Sequence, residues 1–483
     1  MAYYESPRQS FSGRIVLDPD VQKIRDSKSR VLLNTAETVL NFRVGLTGFY
    51  GWKIFGILSL VFLVNGLLVG VAIPVDILVD ENSDRHNDSF SIDLKQSSFN
   101  CESSEFSLNA KVIQNLFSAV LALLTCFYSN FSRKKCLLTL SSIAVFSKVV
   151  LIFFEADILD WLLISVLNSG ELVTIVYIME LTVPDRQTNL IFSLTLVKCF
   201  GTLIPTSLNL MKVRLGWFDT VDVNNSVWIS SFALIILSTY FCLLFLLPKS
   251  YKLLIQKSRK AEASNVAVEI SKCVQDLDNS SEQEIRSSIE LIIDSEKLDT
   301  LSVGGVSFIA VVAGIFGVLH ENLDSRASFN SNWSIILVII TIILSETYDK
   351  RHFKFDEFTF IKILRTQMII IGATVILNQS LIHFSCEKYG GSNFKLFISA
   401  VLEANLNVSV SILLVIACRI THTKTRARLI GVVALIYYSM RAVRVLVIFL
   451  PRVFRFGSVL FVAVVLMILV SHVRTIPRRI VFK

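Results

Sequence analysis

The sequence predicts an all-α polytopic membrane protein with twelve transmembrane helices in two six-helix halves. Three observations predict it. Of its 483 residues 53% are hydrophobic and only 18% are charged, where an ordinary soluble chain carries about 25% charged residues. The mean hydropathy is +0.61. The charges are clustered, and the nearly uncharged stretches between clusters run about 20 residues, the length that carries a helix across a hydrocarbon core of about 30 Å. A soluble multidomain enzyme would need polar faces that these runs lack.

The first run begins near Trp52, behind a polar segment (1–51) with seven basic residues. That segment does not resemble a cleavable leader and reads as a cytoplasmic tail. The first-half spans fall at roughly 52–76, 108–129, 136–154, 158–180, 187–211 and 226–247. Those of the second half fall at roughly 301–320, 332–347, 361–384, 394–418, 428–450 and 456–474. The organisation is then a tail (1–51), a six-helix half (52–247), a linker (248–300), a second half (301–474) and a closing tail (475–483).

Short loops assign the sides. Arg133, Lys134 and Lys135 follow span 2; Lys350, Arg351 and Lys354 follow span 8; Arg419, Lys424, Arg426 and Arg428 follow span 10. The turn between spans 3 and 4 has no basic residue. Basic loops stay on the cytoplasmic side, so both termini are expected there, against a minority formed by Lys212, Arg214, Arg452 and Arg455. The same bias accounts for the net charge of +8 without any nucleic-acid partner.

Two loops are long. Residues 77–107 are polar and acidic and contain the sequon Asn87-Asp88-Ser89, so an external loop glycosylated at Asn87 is expected. The linker starts basic ("KSYKLLIQKSRK") and turns acidic ("DLDNSSEQEIRSSIELIIDSEKLD"). Apolar residues at helical spacing in both parts predict short helices along the inner membrane face.

The eight cysteines form no framework. Cys126, Cys199, Cys242 and Cys418 lie in or at the ends of apolar runs, where a thiol acts as a small hydrophobe. Cys101 and Cys386 fall in expected external loops, where a bridge is one option. There is no His-Glu-x-x-His, no phosphate-cradling glycine loop and no Cys-x-x-Cys, and the six histidines are scattered. Enzyme activity, a cofactor and a metal site are not expected.

The halves also echo each other. "NFSRKK" follows span 2 and "DKRHFKF" follows span 8, so the second helix of each half ends in a basic turn. Repeated halves with a site between them near the midplane are the architecture of many secondary transporters.

Six charges sit deep in spans: Lys148, Glu171, Lys198, Glu403, Arg441 and Arg444. Charges at such depth face a cavity or a partner. Arg441 and Arg444 share a helix face, and guanidinium presents a fork of donors that matches a carboxylate or sulfate. Each residue also has a plainer reading. Arg444 snorkels to outer headgroups, Arg441 pairs with Glu403, Lys198 pairs with Glu171, and Lys148 packs against a polar neighbour. Gly201 and Pro205 let span 5 bend or pack closely. Tyr177, Tyr437 and Tyr438 are aromatic candidates for substrate contact.

Several segments, in order, resemble the major facilitator superfamily and, within it, the organic cation, anion and carnitine transporters. They are "FRVGLTGFYGWKI" before span 1, "CFYSNFSRKKCLL" after span 2 and "MELTVPDRQTN" after span 4, then "VRLGWFD", "LPKSYKLLIQKSRKAEA" after span 6 and "YYSMRAVRVLVIF" in span 11. The departures are Asn130 where the superfamily has aspartate, Ser132 where it has glycine, and Lys249 and Tyr251 where it has glutamate and proline.

The resemblance implies the facilitator fold and small organic ions as substrates; the deep charges, four basic and two acidic, slightly favour anions, and the arginine that the family's anion carriers keep in the eleventh helix supports this. It implies a cavity lined by helices 1, 4, 7 and 10, flanked by 2, 5, 8 and 11, which includes all of the deep charges except Lys148. Substrate is expected near Glu171, Lys198, Glu403, Arg441 and Arg444, and an inner gate at Arg133, Lys134, Glu180, Asp185 and Arg186. Glu180 would pair with Arg186 or with a basic residue of another loop. Membrane lipid is the other expected partner, the plasma membrane is the favoured location, and the coupling ion is left open. The departures after spans 2 and 6 open a second reading, a receptor or scaffold on this fold without transport.

Overall fold

The computed structural model describes residues 35–36, 38–40, 43–45, 48–71, 99–154, 157–215, 225–274, 279–295, 303–320, 357–384, 391–419, 421 and 423–447, with separated positions in 461–468. Helices dominate these residues. The six helices of the first group are α1 (Gly48–Val71), α2 (Phe99–Ser129), α3 (Arg133–Phe153), α4 (Asp157–Leu181), α5 (Pro184–Leu215) and α6 (Asn225–Leu244). They fall on the first six expected spans. Three short helices follow: α7 (Tyr251–Gln256), α8 (Lys260–Val274) and α9 (Asn279–Ser295). Then come α10 (Val303–His320), α11 (Glu357–Phe384), α12 (Gly391–Arg419) and α13 (Thr423–Val447), on the seventh, ninth, tenth and eleventh spans. The expected eighth span, with Asn87 and Cys386, lies outside the described residues. The twelfth is described only at separated helical positions.

Length and composition make this a multi-pass membrane protein. Tyr50–Gly70, Val112–Ser129, Arg133–Phe153, Ile158–Leu181 and Thr425–Leu446 are each long and apolar enough to cross a bilayer, and shorter apolar stretches occur in α5, α6, α10, α11 and α12. In hydrocarbon a helix satisfies every backbone polar group internally, which is why these runs take no other form. Breaks between helices are made locally. Ser132 caps α3 by accepting from the Lys135 amide (3.3 Å), and Pro184 opens α5 at a position where its missing N–H is harmless.

Hydropathy marks the membrane core and not the helix, so α2 is longer than expected. Its 31 residues span about 46 Å at 1.5 Å per residue and carry Cys101 onto the helix, where a loop was expected.

Side chains are sorted by surroundings. On α2, Leu116, Phe117, Val120 and Leu124 are exposed, while Asn115, Ser118, Thr125 and Ser129 are buried. The polar stripe turns inward because hydrogen-bond partners exist only there: the Ser118 and Ser165 hydroxyls share a bond of 2.9 Å.

The packing repeats between the two groups of helices. The α1–α5 contact has its counterpart in α10–α13, α3–α4 in α11–α12, and α1–α4 in α10–α12. The first of these pairings is a glycine seam in both groups. A Cβ on Gly66 would stand 2.1 Å from the Lys198 carbonyl oxygen, and one on Gly201 2.5 Å from that of Leu63. In the second group a Cβ on Gly317 would stand 2.3 Å from the Tyr437 carbonyl oxygen. Small residues let backbones touch where the surrounding lipid gives no hydrophobic drive for association. The groups meet mainly along α2 and α13, where Gly431 lies against Cys126 and Val112 packs with Ala442 and Val445. A hydroxyl bond between Thr195 and Ser411 (3.0 Å) joins α5 to α12.

The expected linker helices are α7, α8 and α9. The turn from α7 into α8 holds Ser258 in the left-handed region (φ 56). The amides of Ser258 and Arg259 return to the Ile255 and Leu254 carbonyls, the bond pattern that closes helices at a left-handed residue. Buried Ile285, Ile289, Ala267 and Val268 share a core with Ala36, Leu40 and Val44. The Ser271 hydroxyl donates to the Arg43 carbonyl (2.8 Å), and Arg43 pairs with Glu284 at 3.5 Å. The segment before α1 is thus held by the linker helices, and α7 touches both α4 and α13.

The seam makes a sharp prediction. Gly66→Leu and Gly201→Leu place side chains on backbone atoms that cannot yield, so each should lose about 1–3 kcal/mol or more. Gly56→Leu, with nothing within 4 Å of its Cβ, should be tolerated. Thermal unfolding of the purified variants checks this, and equal stability of Gly66→Leu and Gly56→Leu would refute the seam.

Candidate functional site

A polar cluster lies where α1, α4 and α5 meet. Asn65 on α1 donates through Nδ2 to Glu171 Oε1 (2.6 Å) and to Asn168 Oδ1 (2.9 Å), both on α4. Lys198 on α5 donates to Glu171 Oε2 (2.9 Å). The Lys198 side chain is 33% exposed and that of Glu171 12%, so the pair is reachable from one side. The seam brings these groups together. The carbonyl beneath Gly66 belongs to Lys198, and Asn65 is the next residue along α1. Of the sequence-derived readings of Lys198, pairing with Glu171 is the one observed. Asn65 and Asn168 were missed. The usable signal was an asparagine in an apolar run, directly before the Gly66-x-x-x-Gly70 pattern.

The α13 face carries Tyr437, Tyr438 and Arg441. The two tyrosine rings meet edge to face at 5.1 Å, and the Arg441 guanidinium sits over the Tyr437 ring at 5.8 Å. The same helix packs against α4, so α13 of the second group borders the Glu171 helix of the first. Arg444 is only 5% exposed. The neighbouring Val443 and Leu446 take the outer surface instead, so the snorkelling reading of Arg444 is corrected: it faces inward. Glu403 lies on α12, but its side chain is outside the described residues, as is that of Asp185 on α5. Lys148 is buried on α3, the helix that packs against α4.

A second ion pair closes the other end of α4. Arg133 donates through Nη2 (2.7 Å) and Nε (3.1 Å) to Glu180 Oε1, and through Nη1 to Ser129 (2.9 Å) and Asn130 (3.3 Å). Both side chains are 0% exposed. Glu180 Oε2 accepts from Ser250, the cap of α7, at 2.6 Å. Lys134 donates to the carbonyls of Phe245 (2.8 Å) and Leu247 (2.7 Å) at the end of α6. Lys257 donates to the Phe131 carbonyl (2.6 Å), and burial, then the charges of Arg259 and Arg133, pull its ammonium below the ordinary lysine range. Arg133, Lys134 and Glu180 therefore come together as expected. Arg186 does not join them: it is exposed, and the basic residue of another loop, Arg133, takes Glu180. Tyr177 is also corrected, because its hydroxyl donates to the Pro248 carbonyl at this end and not to the deep cluster.

No protein-family model and no curated protein sequence matches the chain. Solved structures do. The human organic anion transporter MFSD10 aligns over 86% of this chain and 99% of its own, with a TM-score of 0.55 and 13% identity. The major facilitator superfamily proton:xylose symporter XylE, bound to 6-bromo-6-deoxy-D-glucose, aligns over 88% and 95% with a TM-score of 0.60 and 13% identity. A partially occluded inward-open form of XylE from E. coli aligns over 88% and 99% with a TM-score of 0.59 and 13% identity. The chain has the major facilitator fold. The deep cluster and the α13 face belong to different groups of helices, whereas the Arg133–Glu180 pair lies within the first group and the start of the linker.

The sealed pair is structural in consequence, whatever else it does. Arg133→Ala leaves Glu180 charged and buried, which should cost about 3–5 kcal/mol of stability. Arg133→Ala combined with Glu180→Leu should recover part of the loss by removing the stranded charge. The thermal midpoints of the purified single and double variants decide it; an unshifted midpoint for Arg133→Ala would refute the role.

Proposed function

We propose that the protein carries small organic ions across a membrane by alternating access, with organic anions favoured. One observation carries the reading: α13, which holds Arg441 over the Tyr437 ring, packs against α4, whose Glu171 is paired with Lys198 of α5. Glu171 and Lys198 offset each other's charge, and the guanidiniums of Arg441 and Arg444 make the region net positive, which suits a carboxylate or sulfate. Substrate binds among Glu171, Lys198, Glu403, Arg441 and Arg444. Arg133, Lys134, Glu180, Asp185 and Arg186 form the cytoplasmic gate region, with both termini on the same side and Asn87 glycosylated outside. The tail, the two halves and the linker keep their sequence boundaries, and the plasma membrane is the location. Likeness to MFSD10, described as an organic anion transporter, supports the substrate class.

A non-transporting receptor or scaffold is the second reading, favoured by Asn130 standing beside Arg133 where the superfamily resemblance calls for a carboxylate. Uptake of radiolabelled organic anions, cations and zwitterions in cells separates the two: absence of any uptake, with normal surface delivery, selects the scaffold. Within the transporter reading, Arg441→Ala should cut uptake of an anionic substrate about thirtyfold or more, matching the roughly 2 kcal/mol or more lost with one partner of a buried charge pair. Surface expression should be unchanged, and wild-type uptake by this variant would overturn the anion clamp.

A further inference from the structure

Asn65 is 0% exposed, and both of its amide hydrogens are taken by Glu171 Oε1 and Asn168 Oδ1. Two acceptors at that end decide which atom is nitrogen, since an oxygen at 2.6 Å from a carboxylate would be repelled. The amide oxygen is then turned the other way, and it has no hydrogen-bond partner among the described residues. A buried acceptor without a donor is destabilising, and most such atoms in folded proteins are matched. This one sits within a cluster whose ion pair is partly open.

We infer that the site's ligand carries a hydrogen-bond donor, a hydroxyl or N–H group, besides its anionic group, and that Asn65 Oδ1 reads that donor. This rests on the transporter reading and narrows its substrate class to hydroxylated or amino-substituted organic anions. Arg441 on α13 meets the anionic end, and Asn65 on α1 meets the donor. Asn65 is thereby a specificity-determining residue: a ligand lacking the donor leaves a buried acceptor unmatched, and such sites discriminate strongly against the analogue that lacks the group.

The test uses full-length protein in lipid nanodiscs and matched probes, 4-hydroxyphenylacetate against phenylacetate and 4-aminobenzoate against benzoate, with affinities from titration calorimetry. The donor-bearing member of each pair should bind about tenfold or more tightly, the scale of one net hydrogen bond. Asn65→Ala should bring the ratio near one. A readout that needs no variant is an experimental map of the native protein with 4-hydroxyphenylacetate. The phenol oxygen should lie within hydrogen-bond distance of Asn65 Oδ1, and an ordered water there with the phenol elsewhere would overturn the inference. Equal affinity within both pairs also overturns it and leaves the transporter reading standing. If no probe binds and no organic ion is taken up, both readings fall together.

Discussion

Backbone contact between α1 and α5 is the constraint on which the rest of the structure depends. Gly66 rests on the Lys198 carbonyl and Gly201 on that of Leu63, so the two helices approach as closely as peptide units allow. Lipid offers apolar side chains as good an environment as a neighbouring helix does, so close packing and hydrogen bonds must hold the bundle. The seam does both. It presses the helices together and, through Asn65 and Lys198, delivers two polar side chains to Glu171 on α4. The second glycine seam, Gly317 against Tyr437, does the equivalent for the Tyr437, Tyr438 and Arg441 face. One backbone device, used once in each group of helices, sets both walls of the candidate site.

The two ion pairs of α4 show how burial separates roles. Glu171 and Lys198 keep partial exposure. Glu180 and Arg133 have none, and Ser129, Asn130 and Ser250 add further hydrogen bonds to the pair. Such a pair resists rearrangement because losing either member leaves a bare charge in a low-dielectric interior. Through Ser250 it also fixes the start of α7, the linker helix that touches both α4 and α13. The linker is consequently packed structure at its beginning and not a slack tether.

Sequence by itself determined the helical, membrane-spanning class, because hydropathy over about 20 residues reads directly on what a bilayer permits. It also pointed to a basic partner for Glu180. Tertiary structure decided the partners. Arg133 rather than Arg186 reached Glu180 because the α2–α3 turn folds beneath the end of α4, a distance no linear spacing encodes. Arg444 turned inward because α13 presents Val443 and Leu446 to the outside, a rotation that the apolar residues spread around this helix leave unmarked. Asn65 went unread for the same reason: one neutral amide in an apolar run carries no charge signal, and its weight comes only from the carboxylate that the α1–α5 contact brings to 2.6 Å.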